Sequence, residues 1–179
     1  MLTGTEKATS NAVRLSLREP VADDGPSIYA LVKQSKPLDL NSRYCYLIMC
    51  EHFSSTCVVA EQEGKVLAFM TAYVPPAQSD TLFVWQIAVH ADVRGQGLAK
   101  RLLADVLARP ALQNVSFVEA TVGPSNDASR GIFRSLARQH ATKVHESLMF
   151  ATDLLGDKEH EQENLIRVGP FELVTGLNR

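Results

Sequence analysis

Residues 84–99 carry the first chemistry in this chain. An apolar run, Val84-Trp85-Gln86-Ile87-Ala88-Val89-His90, leads into Val93-Arg94-Gly95-Gln96-Gly97-Leu98-Ala99. The pattern predicts a strand, a glycine-bearing turn and then a helix. Gly95 and Gly97 let backbone N–H groups converge with no side chain in the way, and the helix N-terminus adds its positive dipole end. That arrangement cradles a pyrophosphate. A P-loop would need GxxxxGK[ST], which is absent. A dinucleotide fingerprint needs a third glycine or alanine where Lys100 stands, and an acidic residue at the next strand end. A pyrophosphate loop of another kind remains, set against an ordinary glycine turn that caps a helix.

Other reactive residue types give weaker signals. His160-Glu161-Gln162-Glu163-Asn164 is similar to HExxH, but Asn stands where zinc needs its second imidazole, so no metal site is expected. Cys45, Cys50 and Cys57 form an odd set without CxxC spacing, which argues against a disulfide framework or a zinc knuckle. Cys45 and Cys50 are expected on a buried helix face. His90 and His145 read as structural or exposed, and His140 as a surface residue after a helix.

The elements that must position these residues follow from periodicity. Residues 13–18 alternate as a first strand, and Asp23-Asp24-Gly25-Pro26 opens a helix over 27–34. Asn41-Ser42 caps a second helix running to about Phe53, with Tyr44, Leu47, Ile48 and Glu51 at helical spacing. Residues 56–62 and 65–74 make a hairpin about Glu63-Gly64, and 81–90 is a long strand. A helix over 97–108 turns Leu98, Leu102, Leu103, Val106 and Leu107 inward. Strand 115–122, helix 126–138 and strands 144–152 and 165–174 come next, with an acidic loop over 156–164. The order β-α-α-β-β-β-α-β-α-β-β implies an α/β fold of the mixed α+β kind, a central sheet with helices on both faces.

Composition bounds the rest. The chain has 179 residues, 45% apolar and 21% charged, enough for one domain with a sizeable core. We expect a flexible tail over 1–12, one domain over 13–175 and a short tail over 176–179. Lys plus Arg total 18 against 20 Asp plus Glu, so no basic excess recommends nucleic acid or an anionic membrane as partner. No apolar run reaches the length of a bilayer span, and residues 1–11 lack the apolar core of a signal peptide. A cytoplasmic protein is expected.

Arg94-Gly95-Gln96-Gly97-Leu98-Ala99 satisfies in full the coenzyme A loop R/Q-x-x-G-x-G/A, and Pro124-Ser125-Asn126 closes the next strand. With the strand before and the helix after, the segment resembles the GCN5-related N-acetyltransferase superfamily. The resemblance implies that superfamily's fold, a mixed and mostly antiparallel sheet of about seven strands. It also implies acetyl-CoA as co-substrate, held by Ile87, Ala88 and Val89, by Arg94 to Ala99, and by Asn126, Ser129 and Phe133. Many members carry a Tyr seven residues after the Asn, where it protonates the leaving thiolate. Here Phe133 stands there, and a phenyl ring cannot donate.

Further blocks are narrower: Pro37-Leu38-Asp39-Leu40-Asn41-Ser42, Tyr44, Tyr46-Leu47, Cys50, His52-Phe53, Thr56-Cys57-Val58-Val59-Ala60, Val84 to Val89, and His160-Glu161 with Glu163 to Pro170. They resemble the diaminobutyrate acetyltransferases of ectoine biosynthesis. That family moves acetyl from acetyl-CoA to the 4-amino group of L-2,4-diaminobutyrate, a small diamine, on the route to an osmoprotectant; its members are similar homodimers. The resemblance places the substrate against Asp39, Tyr44, Trp85, Glu161 and Glu163. It makes Glu163 and His160 candidates for the base and Tyr44 an orienting hydroxyl or proton donor. Attack would be direct, in a ternary complex, with backbone N–H groups near Ile87 to Val89 facing the oxyanion. Two alternatives differ from this: another small diamine or amino acid, or a protein N-terminus, as acceptor, and an acetyl-CoA-binding sensor without turnover, to which Phe133 lends some support.

Overall fold

The computed structural model describes residues 15–36, 38–156 and 161–173. The expected tails, together with Val13, Pro37 and His160, lie outside those residues. Seven strands form one sheet: β1 (Ser16–Arg18), β2 (Val58–Gln62), β3 (Lys65–Tyr73), β4 (Thr81–Val89), β5 (Phe117–Val122), β6 (Val144–Phe150) and β7 (Glu163–Val168). Their spatial order is β1-β2-β3-β4-β5-β7-β6. Every neighbouring pair is antiparallel except β4–β5. Four α-helices complete the fold: α1 (Gly25–Lys33), α2 (Arg43–His52), α3 (Leu98–Leu107) and α4 (Asp127–Gln139). The expected element order and the mixed sheet are both present.

Local chemistry explains most boundaries. Glu63 and Gly64 both take positive φ, 52° and 75°, the two-residue turn whose twist suits a hairpin. Ser42 caps α2 by accepting the Cys45 N–H at 3.2 Å. In α3 the five predicted apolar residues are all buried, and they meet Leu82, Val84, Val118 and Phe133 on one side of the sheet. On the other side Ile28, Leu31 and Val32 of α1 and Tyr46 and Cys50 of α2 cover Val59, Phe69 and Ala88. Each large apolar side chain buried in these layers is worth about 1.5–3 kcal/mol.

Several expectations need correction. The inward face of α2 is Tyr46, Met49 and Cys50, whereas Tyr44 and Glu51 face solvent. Both stripes have helical spacing; the tyrosine with a buried hydrogen-bonding partner is the one turned in. Cys45 is only half-buried, since five residues from Cys50 it lies on a different face. The last strand, expected over 165–174, is Glu163–Val168 among the described residues; it starts two residues earlier because Glu163 and Asn164 pair with Phe150 and Leu148 of β6. Pro170, which has no N–H, ends the run after Val168. His140 is half-buried, its ring 4.7 Å from that of Phe171.

Candidate active site

The site begins where two parallel strands part. β4 pairs with β5 only through Thr81–Phe83 against Phe117–Glu119. Just beyond, Thr71 of β3 faces Gln86 while Ala72 faces Val84, so Trp85 is an extra residue on β4. This β-bulge bends the strand and re-aims the residues beyond it. From Val84 to Val89 the β5 side of β4 has no ladder, so its backbone groups face an opening between the strands.

One flank of the opening is a cleft of about 360 Å³ lined by Ile87, Val89, Val93 and Arg94, by Gly95, Gly97, Leu98, Ala99 and Lys100, and by Ala128, Ser129 and Ile132. Gly95 and Gly97 have φ of +76° and +71°, the left-handed region that other residues avoid, and Gly97 is the N-cap of α3. Arg94 fixes the loop by donating from Nε to the Val89 carbonyl at 2.9 Å. Asn126 caps α4, its Oδ1 accepting the Ser129 N–H at 3.0 Å. Two helix N-termini and a glycine turn thus converge on one cleft, which fits a pyrophosphate and its pantetheine arm. Of the predicted cofactor residues, Gln96 is exposed, Ala88 packs beneath α1 and α2, and Phe133 lies fully in the core, next to the lining residue Ile132. Among the described residues no cluster of three His, Cys, Asp or Glu could hold a metal.

The opposite flank carries the carboxylates. Asp39, on the connection between α1 and α2, and Tyr44, on the first turn of α2, are both exposed. That connection is tied to β4: the Gln86 amide donates to the Asp39 carbonyl at 2.8 Å. Tyr46 donates to Gln86 Oε1 at 3.1 Å and accepts the Asn41 N–H at 3.3 Å. Trp85, half-buried, is the neighbour of Gln86 on the bulge.

Glu163 stands at the first position of β7, half-buried, with Oε2 shielded from solvent. Side chains alternate along the strand, so Glu163 faces away from α4, while Asn164 and Ile166 face toward it. Asn164 donates to Glu146 at 2.7 Å, and Arg130 of α4 grips Glu146 with two hydrogen bonds of 2.8 Å. The Arg130 guanidinium, then the Asn164 amide, hold the Glu146 carboxyl down at about 2. Glu161, exposed just before β7, accepts the Ser125 N–H on its Oε2 at 3.0 Å, which ties the start of β7 to the turn before α4. Sequence reasoning missed Gln86, Tyr46, Arg130 and Glu146. Only the polar Gln86 inside an aliphatic strand was a usable signal.

Known proteins match this arrangement. The family model described as Acetyltransferase (GNAT) family covers residues 25–137. The L-2,4-diaminobutyric acid acetyltransferase of Marinococcus halophilus is 45% identical over 170 residues, 95% of this chain and 96% of that protein. Its counterpart in Shouchella clausii is 47% identical over 157 residues, 88% of each. Among solved structures, diaminobutyrate acetyltransferase EctA from Paenibacillus lautus, in complex with its substrate L-2,4-diaminobutyric acid and coenzyme A, superposes with a TM-score of 0.87. It is 37% identical and the match covers 92% of this chain and 100% of that one. The ribosomal-protein-S18-alanine N-acetyltransferase of Escherichia coli, at 21% identity and a TM-score of 0.60, shares the fold, with 93% and 99% covered.

Proposed function

The chain belongs to the acetyltransferase (GNAT) family, among its L-2,4-diaminobutyric acid acetyltransferases, and from that premise we propose how its residues move an acetyl group. It is an acetyl-CoA-dependent acyltransferase that acetylates L-2,4-diaminobutyrate. The amine acetylated is the 4-amino group, and the product serves the synthesis of the osmoprotectant ectoine under osmotic stress in the cytoplasm. The observation that carries this reading is the split between β4 and β5, with the glycine cleft on one flank and Asp39 and Glu163 on the other.

Acetyl-CoA supplies a thioester carbonyl open to attack by an amine. Gly95 and Gly97 give the backbone that receives its pyrophosphate, and Asn126 and Ser129 border the pantetheine arm. N–H groups of β4 beyond the bulge, near Ile87 to Val89, stabilise the oxygen on which negative charge develops. Asp39 and the Trp85 carbonyl hold the diamine's ammonium groups, and Tyr44 orients the acceptor. Glu163 removes the proton from the attacking 4-ammonium, directly or through a water, with His160 the alternative base. A positioned base contributes about 10²–10⁴-fold. Phe133 offers no proton to the departing thiolate, so water or Tyr44 returns it.

The family resemblance also supports a homodimer. β6 is a sheet edge with all seven residues exposed, Leu148, Met149 and Phe150 among them, the kind of edge that a second copy covers.

Thiol release from acetyl-CoA, measured with diaminobutyrate, ornithine, lysine, putrescine and a peptide amine, tests the reading. Preference for diaminobutyrate with acetyl on the 4-amino nitrogen is expected. Silence across the panel with acetyl-CoA still bound would point instead to a sensor.

A further inference from the structure

The acceptor side rests on one buried amide. Gln86 is 7% exposed, sits beside the bulged Trp85, and is the side chain through which β4 reaches the connection carrying Asp39. Its orientation is set by the network. The Tyr46 hydroxyl accepts the Asn41 N–H, so its single proton goes to Gln86 Oε1, which leaves Nε2 to donate to the Asp39 carbonyl. Tyr46 is fully buried, and burial pushes its ionisation up, so it keeps that proton. The Asp39 end of this backbone is therefore pinned directly to the strand that presents the oxyanion-facing N–H groups, and the Asn41 end through Tyr46 of α2 and Gln86.

From this geometry we propose that Gln86, backed by Tyr46, is a positioning and specificity residue: it fixes how far the Asp39 anchor stands from the reacting carbonyl, and so selects the length of the diamine. The proposal deepens the acetyltransferase reading and rests on it. A diamine anchored at one ammonium must bring the other to the thioester. The anchor-to-carbonyl distance then decides between diaminobutyrate and ornithine, whose chain is one methylene longer. A hydrogen bond from a buried side chain to a backbone carbonyl holds such a distance more tightly than a loop on the surface could.

The test compares wild-type protein with Gln86→Leu and Tyr46→Phe. Gln86→Leu keeps the volume and removes both hydrogen bonds. Tyr46→Phe keeps the ring packing and removes only the hydroxyl, so it serves if the leucine variant folds poorly. We expect the KM for diaminobutyrate to rise about tenfold in Gln86→Leu and severalfold in Tyr46→Phe, the size that lost hydrogen bonds predict. Acetyl-CoA affinity should stay within twofold. The ratio of kcat/KM for diaminobutyrate over ornithine should fall about fivefold or more, from a starting discrimination that one methylene sets at about 10–200-fold. A residue that merely supported the fold would lower the amount of active protein and leave KM and that ratio alone. Unchanged KM and ratio in both folded variants would overturn the proposal. Wild-type protein separates the two readings: if it prefers another amine, the substrate assignment fails, and the same KM comparison made on that amine still decides for or against Gln86.

Discussion

The two flanks of the β4–β5 split are built by opposite means. The proposed acetyl-CoA flank is mostly backbone, from two short contiguous segments, 94–99 and 126–129, each at the start of a helix. The proposed acceptor flank is mostly side chains, gathered from the α1–α2 connection, the β4 bulge and the start of β7. A backbone site asks little of residue identity beyond glycine, so it fails when the chain cannot take the required φ. A side-chain site fails when one functional group is lost, even if the chain is undisturbed. The two flanks should therefore break in different observables.

The largest effect is expected from Gly97→Val. A Cβ at Gly97 meets nothing within 4 Å, so the fold has room for it. The obstacle is the φ of +71°, which a β-branched residue takes only at a cost of about 1–3 kcal/mol. We expect acetyl-CoA binding by calorimetry to fall below detection while the protein still melts cooperatively, a few degrees lower. Retained affinity would mean that the loop's backbone is not what holds the pyrophosphate.

Glu163→Gln should do the reverse. It keeps shape and removes the proposed base, so kcat should drop about 10²–10⁴-fold while acetyl-CoA affinity stays within twofold. A rate near wild type would shift the base to His160 or to solvent.

These contrasts also explain what could be read from sequence. Gly95 and Gly97 announce the loop because a backbone site must be contiguous, and its helices carry regular apolar spacing. The acceptor flank has no such register. Gln86 looks like a strand residue until its amide is seen to reach Asp39, 47 positions away. Arg130 reads as an exposed residue of an amphipathic helix, yet it is 8% exposed and paired with Glu146. On α2 two stripes satisfied helical spacing, and only the partner across the layer decided between Tyr44 and Tyr46.

A smaller effect should come from Glu146→Gln, which loosens the β7 strand behind Glu163 without touching either flank's contact atoms. Loss of the Arg130 pair should lower kcat severalfold with KM for acetyl-CoA unchanged. The same group gives a pH signature. Its folded carboxyl is depressed from 4.5 to about 2, so its stabilisation is complete above about 4.5 and is lost as pH falls toward 2. Wild-type Tm should therefore fall across that window, and the Gln variant should fall less steeply.

The smallest effect is the one that tests whether the flanks are separable at a single residue. Asn126 has one observed and one proposed role, since its Oδ1 caps α4 by accepting the Ser129 N–H at 3.0 Å and the proposed mechanism sets it beside the pantetheine arm. Asn126→Ala removes both, and loss of the cap alone should cost about 1 kcal/mol of stability. Asn126→Ser keeps an oxygen for the cap and gives up the amide N–H groups that would face the arm. Melting temperature should therefore return with Ser, while acetyl-CoA affinity, weakened severalfold in Ala, should not. If Ser restores both, the amide does nothing beyond the cap. Backbone alone would then account for the acetyl-CoA flank, and the contrast with the acceptor flank would be complete.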